Sequence, residues 1–175
     1  MKGVNPQPTT PSNLPTSAVF EIAEAVGAHF GFKGSHQGDV HKLAEQLGGR
    51  ISYVAFDVGI DAESLTVYEP GDFEIRLPDY TNPERDTFTV GHELGHLFLH
   101  YLLPSPQPAG PAKFYRYGND LAEIEANWFS SALLMPSKPF TSAYKKSAGN
   151  WQALGKKFRV SPASAQVRAK LLKLT

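Results

Sequence analysis

One stretch constrains this chain more than any other, the segment from Thr81 to Leu103. Phe88, Leu94, Leu97, Phe98, Tyr101 and Leu102 recur there at helical spacing. Thr81-Asn82-Pro83-Glu84 supplies an opening cap, so the pattern predicts one helix to about Leu103. Inside it stands His92-Glu93-Leu94-Gly95-His96. Histidines four apart on a helix differ by about 40° of rotation and about 6 Å of rise, so both rings share a face. From there two ring nitrogens reach one ion at roughly 2.0–2.1 Å, as zinc requires. Glu93, turned about 100° away, is placed to act as general base on an attacking water.

Such a site needs a third ligand. A histidine ten residues after the first would mark one class of zinc peptidases, but that position is Leu102. His100 continues the stripe, yet eight helical residues rise about 12 Å from His92, too far to share an ion. His100 is therefore expected to pack or cap near the helix end. The better source is a second helix, Asp120 to Met135, ended by Pro136. Glu123 is the preferred third ligand, completing a two-His, one-Glu set. Asn127, four residues on, is expected to bond the far nitrogen of a ligand histidine. Glu125 lies about 200° round from Glu123 and is read as a solvated surface carboxylate. For the oxyanion donor, Tyr101, Tyr115, Arg116 and Tyr117 are candidates by proximity in sequence alone.

The rest of the chain sets the frame. Its 175 residues fit one domain with a small appendage, and 41% are hydrophobic, enough for a core. Ala18 to Phe30 reads as a helix capped by Ser17, and Asp39 to Leu47 as a second. Alternation at Ile51-Tyr53-Ala55, at Leu65-Val67 and at Phe73-Ile75-Leu77 predicts a three-stranded sheet. Two helices, a sheet and further helices make an α+β fold. The absence of cysteine excludes disulfides and thiolate zinc sites and suits the cytoplasm. No apolar run approaches the roughly 20 residues that span a bilayer. Residues 1–16, with four prolines among polar residues, are expected to form a disordered tail before a catalytic region at 17–136.

At these residues the chain resembles the ImmA/IrrE family of metallopeptidases. The carriers are Arg85 to His100, around the His92-Glu93-Leu94-Gly95-His96 core, and Glu123-Ile124-Glu125-Ala126-Asn127-Trp128 through to Met135-Pro136. Leu154 to Ser161 resembles the family's trailing helices. Gly91 and Ser130 stand where alanine is usual, which is expected to loosen the helix packing a little. The resemblance implies a gluzincin-like core with one zinc held by His92, His96 and Glu123, and Glu93 as base. It also implies a substrate class, a helix-turn-helix repressor or antitoxin-type regulator.

Three classes of function compete: a regulatory endopeptidase, a metal-dependent regulator that binds a repressor or DNA without cleaving, and a purely structural zinc site. An intact Glu93 disfavours the last, which needs no base. The C-terminal segment, 137–175, complicates the partner question. It carries nine Lys and Arg and no acidic residue, whereas all 17 acidic residues lie at or before Glu125. Leu154 to Leu172 has the outline of a helix-turn-helix, with Ser164, Gln166, Arg168 and Lys170 as possible contacts. Docking on the catalytic domain or on the repressor is preferred to nucleic-acid binding, because the acidic body would repel DNA.

Overall fold

The computed structural model describes residues 9–55, 63–108, 110–115 and 120–175. Helix α1 spans Thr16–His29. It starts two residues before the expected Ala18 and is not capped by Ser17. Pro15 precedes it with φ −62°, and its carbonyl accepts from the Ala18 N–H at 2.9 Å. Helix α2 spans Val40–Gln46, and the Asp39 side chain accepts from the His41 N–H, as the sequence predicts. Residues 9–15 carry no regular element, but their end is not a free tail. Leu14 packs against the core, and the Ser12 N–H donates to Glu125.

Strands β1 (Gly49–Val54), β2 (Glu63–Glu69) and β3 (Asp72–Pro78) fall where alternation predicts them. Phe73, Ile75 and Leu77 of β3 are fully buried, as are Leu65 and Val67 of β2. A fourth strand, β4 (Ala112–Tyr115), joins the expected three. It has four residues and follows a Pro-rich loop, too short a run for alternation to reveal. The sheet order is β1-β3-β2-β4. β3 runs parallel to β1 and antiparallel to β2, and β4 runs antiparallel to β2.

Helix α3 (Pro83–His96) opens on Asn82, whose side chain accepts from the Arg85 N–H at 2.9 Å. It does not continue as regular α-helix to Leu103. Leu97–Leu102 is a π-helical stretch, and Leu103 donates to the carbonyl of Phe98, five residues back, at 3.0 Å. Such turns inside α-helices are frequent at functional sites, and this one carries His100. Helix α4 (Leu121–Leu134) opens on Asp120, which accepts from the Glu123 N–H.

The approach of α3 to α4 positions the site, and two glycines permit it. A Cβ on Gly95 would meet the Ala126 backbone at 2.9 and 3.0 Å, and one on Gly91 would meet Ser130 Oγ at 2.6 Å. The Ser130 hydroxyl lies in the space Gly91 leaves and donates to the Phe88 carbonyl at 2.9 Å. Gly91 and Ser130 therefore compensate one another, and the expected loosening does not occur.

Helices α5 (Ser137–Lys146), α6 (Trp151–Phe158) and α7 (Pro162–Leu171) complete the chain. Leu154, Phe158, Val160, Ala165 and Ala169 join the same core as the sheet and α1. Arg168, a candidate DNA contact by sequence, is fully buried. Its Nε donates to the Met135 carbonyl at 2.9 Å, and its Nη2 donates to Glu24 at 3.2 Å and Ser137 Oγ at 3.1 Å. The guanidinium also lies 4.4 Å from the centre of the Phe20 ring. This cation ties α7 to α1 and to the end of α4. Among the described residues no helix is long and apolar enough to cross a membrane.

Candidate metal centre

The α3–α4 approach brings three sequence-predicted residues together. His92 Nε2 and His96 Nε2 lie 3.1 Å apart. The Glu123 carboxylate completes the triangle, at 3.3 Å from His92 Nε2 and 3.0 Å from His96 Nε2. Among the described residues this is the one group of three or more such side chains whose donor atoms converge, all within 4.8 Å.

The donor set fits a metal ion. Ligands at about 2.0–2.1 Å from a tetrahedral centre stand about 3.3–3.4 Å from one another, and the observed separations lie at or just under that edge. Two imidazoles and a carboxylate are also zinc's ordinary donors, and three leave a fourth position open. Glu93 adds an independent sign. It is 1% exposed, and its Oε2 is buried without a hydrogen-bond partner, an arrangement that is costly unless something polar meets it.

Charge in the site follows the same logic. Burial opposes ionisation of Glu123, but hydrogen bonds from His92 and His96 hold its carboxyl down to about 2. Burial likewise works against a charged His92, yet the Glu123 hydrogen bond and the negative charges of Glu93 and Glu123 outweigh it and raise its pKa. The carboxylates thus draw a proton onto His92, in the place that a bound cation would take.

Around the triad the expectations divide. Asn127 Oδ1 sits 3.0 Å from His92 Nδ1, the position foreseen for it. Glu125 is not a surface carboxylate. It is fully buried, 2.9 Å from His100 Nε2, and accepts the Ser12 N–H at 2.8 Å. His100 does more than pack, since its Nδ1 lies 3.0 Å from His96 Nδ1. His100, weighed by sequence as a ligand alongside His92 and set aside on helical rise, is not part of the converging group. The available signal was the four-residue step from His96 to His100, the same step that pairs His92 with His96.

Phe114 was also missed. Its ring stacks on His96 with centres 5.1 Å apart, which makes β4 a wall of the site. Of the oxyanion candidates, Tyr101 is buried in the core, 3% exposed. Tyr115 is half-buried and follows Phe114 in β4, where successive side chains project to opposite faces. Arg116 and Tyr117 lie outside the described residues.

A helix bearing His-Glu-x-x-His, packed on a helix that offers a glutamate, is the arrangement of a two-His, one-Glu metallopeptidase. Within that class the chain belongs to the IrrE N-terminal-like domain family of peptidases, whose profile matches residues 44–170. The family is metal-dependent. No curated protein matches the chain. Among solved structures, a Mycobacterium tuberculosis transcriptional regulator shares the fold, with a TM-score of 0.59 at 15% identity. The match covers 88% of this chain and 46% of the regulator, so this chain spans about half of that structure's length.

Proposed function

We propose that the protein is a zinc-dependent endopeptidase that cleaves a helix-turn-helix repressor or antitoxin-type regulator in the cytoplasm. The observation that carries this reading is Glu93, buried, with an unpartnered carboxylate oxygen, on the turn between His92 and His96. A metal site of purely structural use gives no reason to bury such a group there. His92, His96 and Glu123 hold the ion. When bound, zinc activates water and polarises a carbonyl.

The chain's own residues supply the remainder. Glu93 accepts the proton of the attacking water and returns it to the leaving amine. Asn127 orients the His92 ring from behind, and Phe114 covers one face of the His96 ring. Support for a regulatory role comes from the family, and the fold-neighbour is itself named a transcriptional regulator.

The test is incubation of the purified chain with candidate helix-turn-helix repressors. Defined fragments that vanish with a chelator are expected. Glu93→Gln should retain the metal and lose about 10²–10⁴-fold in cleavage rate, the usual contribution of a general base. Undiminished cleavage by Glu93→Gln would overturn the mechanism. A variant that no longer cleaves yet still silences the repressor in cells would favour the other reading, a metal-dependent regulator that acts by binding.

A further inference from the structure

Behind the ligand triad stand two buried polar side chains, Glu125 and His100, that the reaction itself does not use. Glu125 Oε2 lies 2.9 Å from His100 Nε2, and His100 Nδ1 lies 3.0 Å from His96 Nδ1. His96 Nε2 then faces the triad. The side chains of His100 and Glu125 are 1% and 0% exposed, so no solvent enters between them. We infer that Glu125 and His100 are positioning residues that fix the tautomer of His96 and so direct its Nε2 lone pair at the metal. The inference rests on reading His92, His96 and Glu123 as the ligands.

The direction of the chain follows from its far end. An ionised carboxylate only accepts hydrogen bonds. The Ser12 N–H donates to the same Glu125 oxygen that meets His100, which keeps that oxygen an acceptor. His100 must then carry its proton on Nε2. A neutral imidazole with a proton on Nε2 has a lone pair on Nδ1, so His100 Nδ1 accepts. His96 must therefore donate from Nδ1, and its Nε2 is left bare. A carboxylate two side chains away thus sets which nitrogen of a ligand histidine is free for metal.

The other histidine has a looser arrangement. His92 Nδ1 meets the amide of Asn127 at 3.0 Å. An amide can turn to offer oxygen or NH₂, so it accommodates either tautomer. The common device is a single carboxylate or carbonyl bonded directly to the ligand histidine. Here a second imidazole is interposed, which allows the carboxylate to be buried deeper, beneath the chain segment that carries Ser12.

The test reads the tautomer directly. In the metal-free full-length chain, ¹⁵N NMR of the His96 ring should show the proton on Nδ1. His100→Phe keeps a ring of similar shape but removes the acceptor, and should give a mixture of tautomers. Zinc affinity, measured by chelator competition, should fall about 10- to 100-fold, the usual effect of losing such a partner. Glu125→Leu should shift both readouts in the same direction, and Glu125→Gln, which keeps an acceptor oxygen, should restore most of each. A wild-type His96 with its proton on Nε2 overturns the inference, whether or not the variants fold. So does a folded His100→Phe with unchanged tautomer and zinc affinity within twofold of wild type. A wild-type chain that shows the expected tautomer yet takes up no metal supports the hydrogen-bond chain and defeats the reading of the triad instead.

Discussion

Two buried polar clusters in this molecule use similar groups to opposite ends. At the anchor of α7, the cation is a side chain. Arg168 is met by Glu24, the Met135 carbonyl and Ser137, and the atom left over is a donor, Nη1. At the triad, two imidazoles and a carboxylate converge and Glu93 stands beside them, and among the described residues the ion-pair partners of Glu123 are His92 and His96. The atom left over there is an acceptor, Glu93 Oε2. Burial and polarity are common to both, so neither marks a functional site. What separates them is the sign of the unmet demand. The anchor holds its own cation, whereas the triad presents converging donor atoms that a bound cation would satisfy.

That contrast can be broken most decisively at the triad. Glu123→Ala should abolish zinc binding, while Arg168→Ala leaves zinc affinity within about threefold, since the anchor makes no contact with the ligands. Equal loss of zinc in both variants would mean that the two clusters form one cooperative unit. The anchor has its own readout, which is stability. Glu24 is partly exposed, so the main loss in Arg168→Ala is the buried Met135 carbonyl left without its donor, at about 1–3 kcal/mol. Arg168→Ala should therefore lower the melting temperature by about 2–12 °C, at about 2–4 °C per kcal/mol for a chain of this size. A change under about 2 °C would show that α7 is held by its apolar residues alone.

Metal removal sharpens the same distinction. If a bound cation satisfies the triad, zinc at 100 times its dissociation constant should stabilise the fold by about 2.7 kcal/mol. The gain should disappear in Glu123→Ala and persist in Arg168→Ala. Thermal melts with and without chelator on the three proteins measure it, and an equal gain in Glu123→Ala would remove Glu123 from the ligand set. The smallest effect concerns the helix approach that builds the triad. Gly91→Ala places a Cβ 2.6 Å from Ser130 Oγ and should cost about 1–3 kcal/mol. Pairing it with Ser130→Ala should recover most of that loss in a double-mutant cycle, and simple additivity would contradict the compensation described above.

Much of the triad was legible because helical periodicity is a strong geometric rule. Four residues return a side chain to the same face, which is enough to pair His92 with His96 and Glu123 with Asn127. The rule was applied to Glu125 by rotation alone, and rotation does not say what waits on the other face. There it meets His100 and the Ser12 N–H, groups from a neighbouring helix and from the N-terminal segment. Arg168 was hidden for a related reason. In a run of basic residues it looks like part of a solvated face, and only the packing of α7 against α1 and α4 singles it out. β4 offered four residues after a Pro-rich loop, and its place in the sheet comes from pairing with β2.

The π-helical stretch from Leu97 to Leu102 has a consequence for sequence length. A π-turn holds one residue more than the α-turn it replaces, so it is the natural trace of a single-residue insertion in a helix. Deleting one residue after His96 and before His100 would turn the four-residue step between them into a three-residue one and displace the His100 ring from His96 and Glu125. Leu97, Leu99, His100 and Tyr101 are buried and Phe98 and Leu102 pack against the core, so the side chains of this turn are constrained as well as the number of its residues.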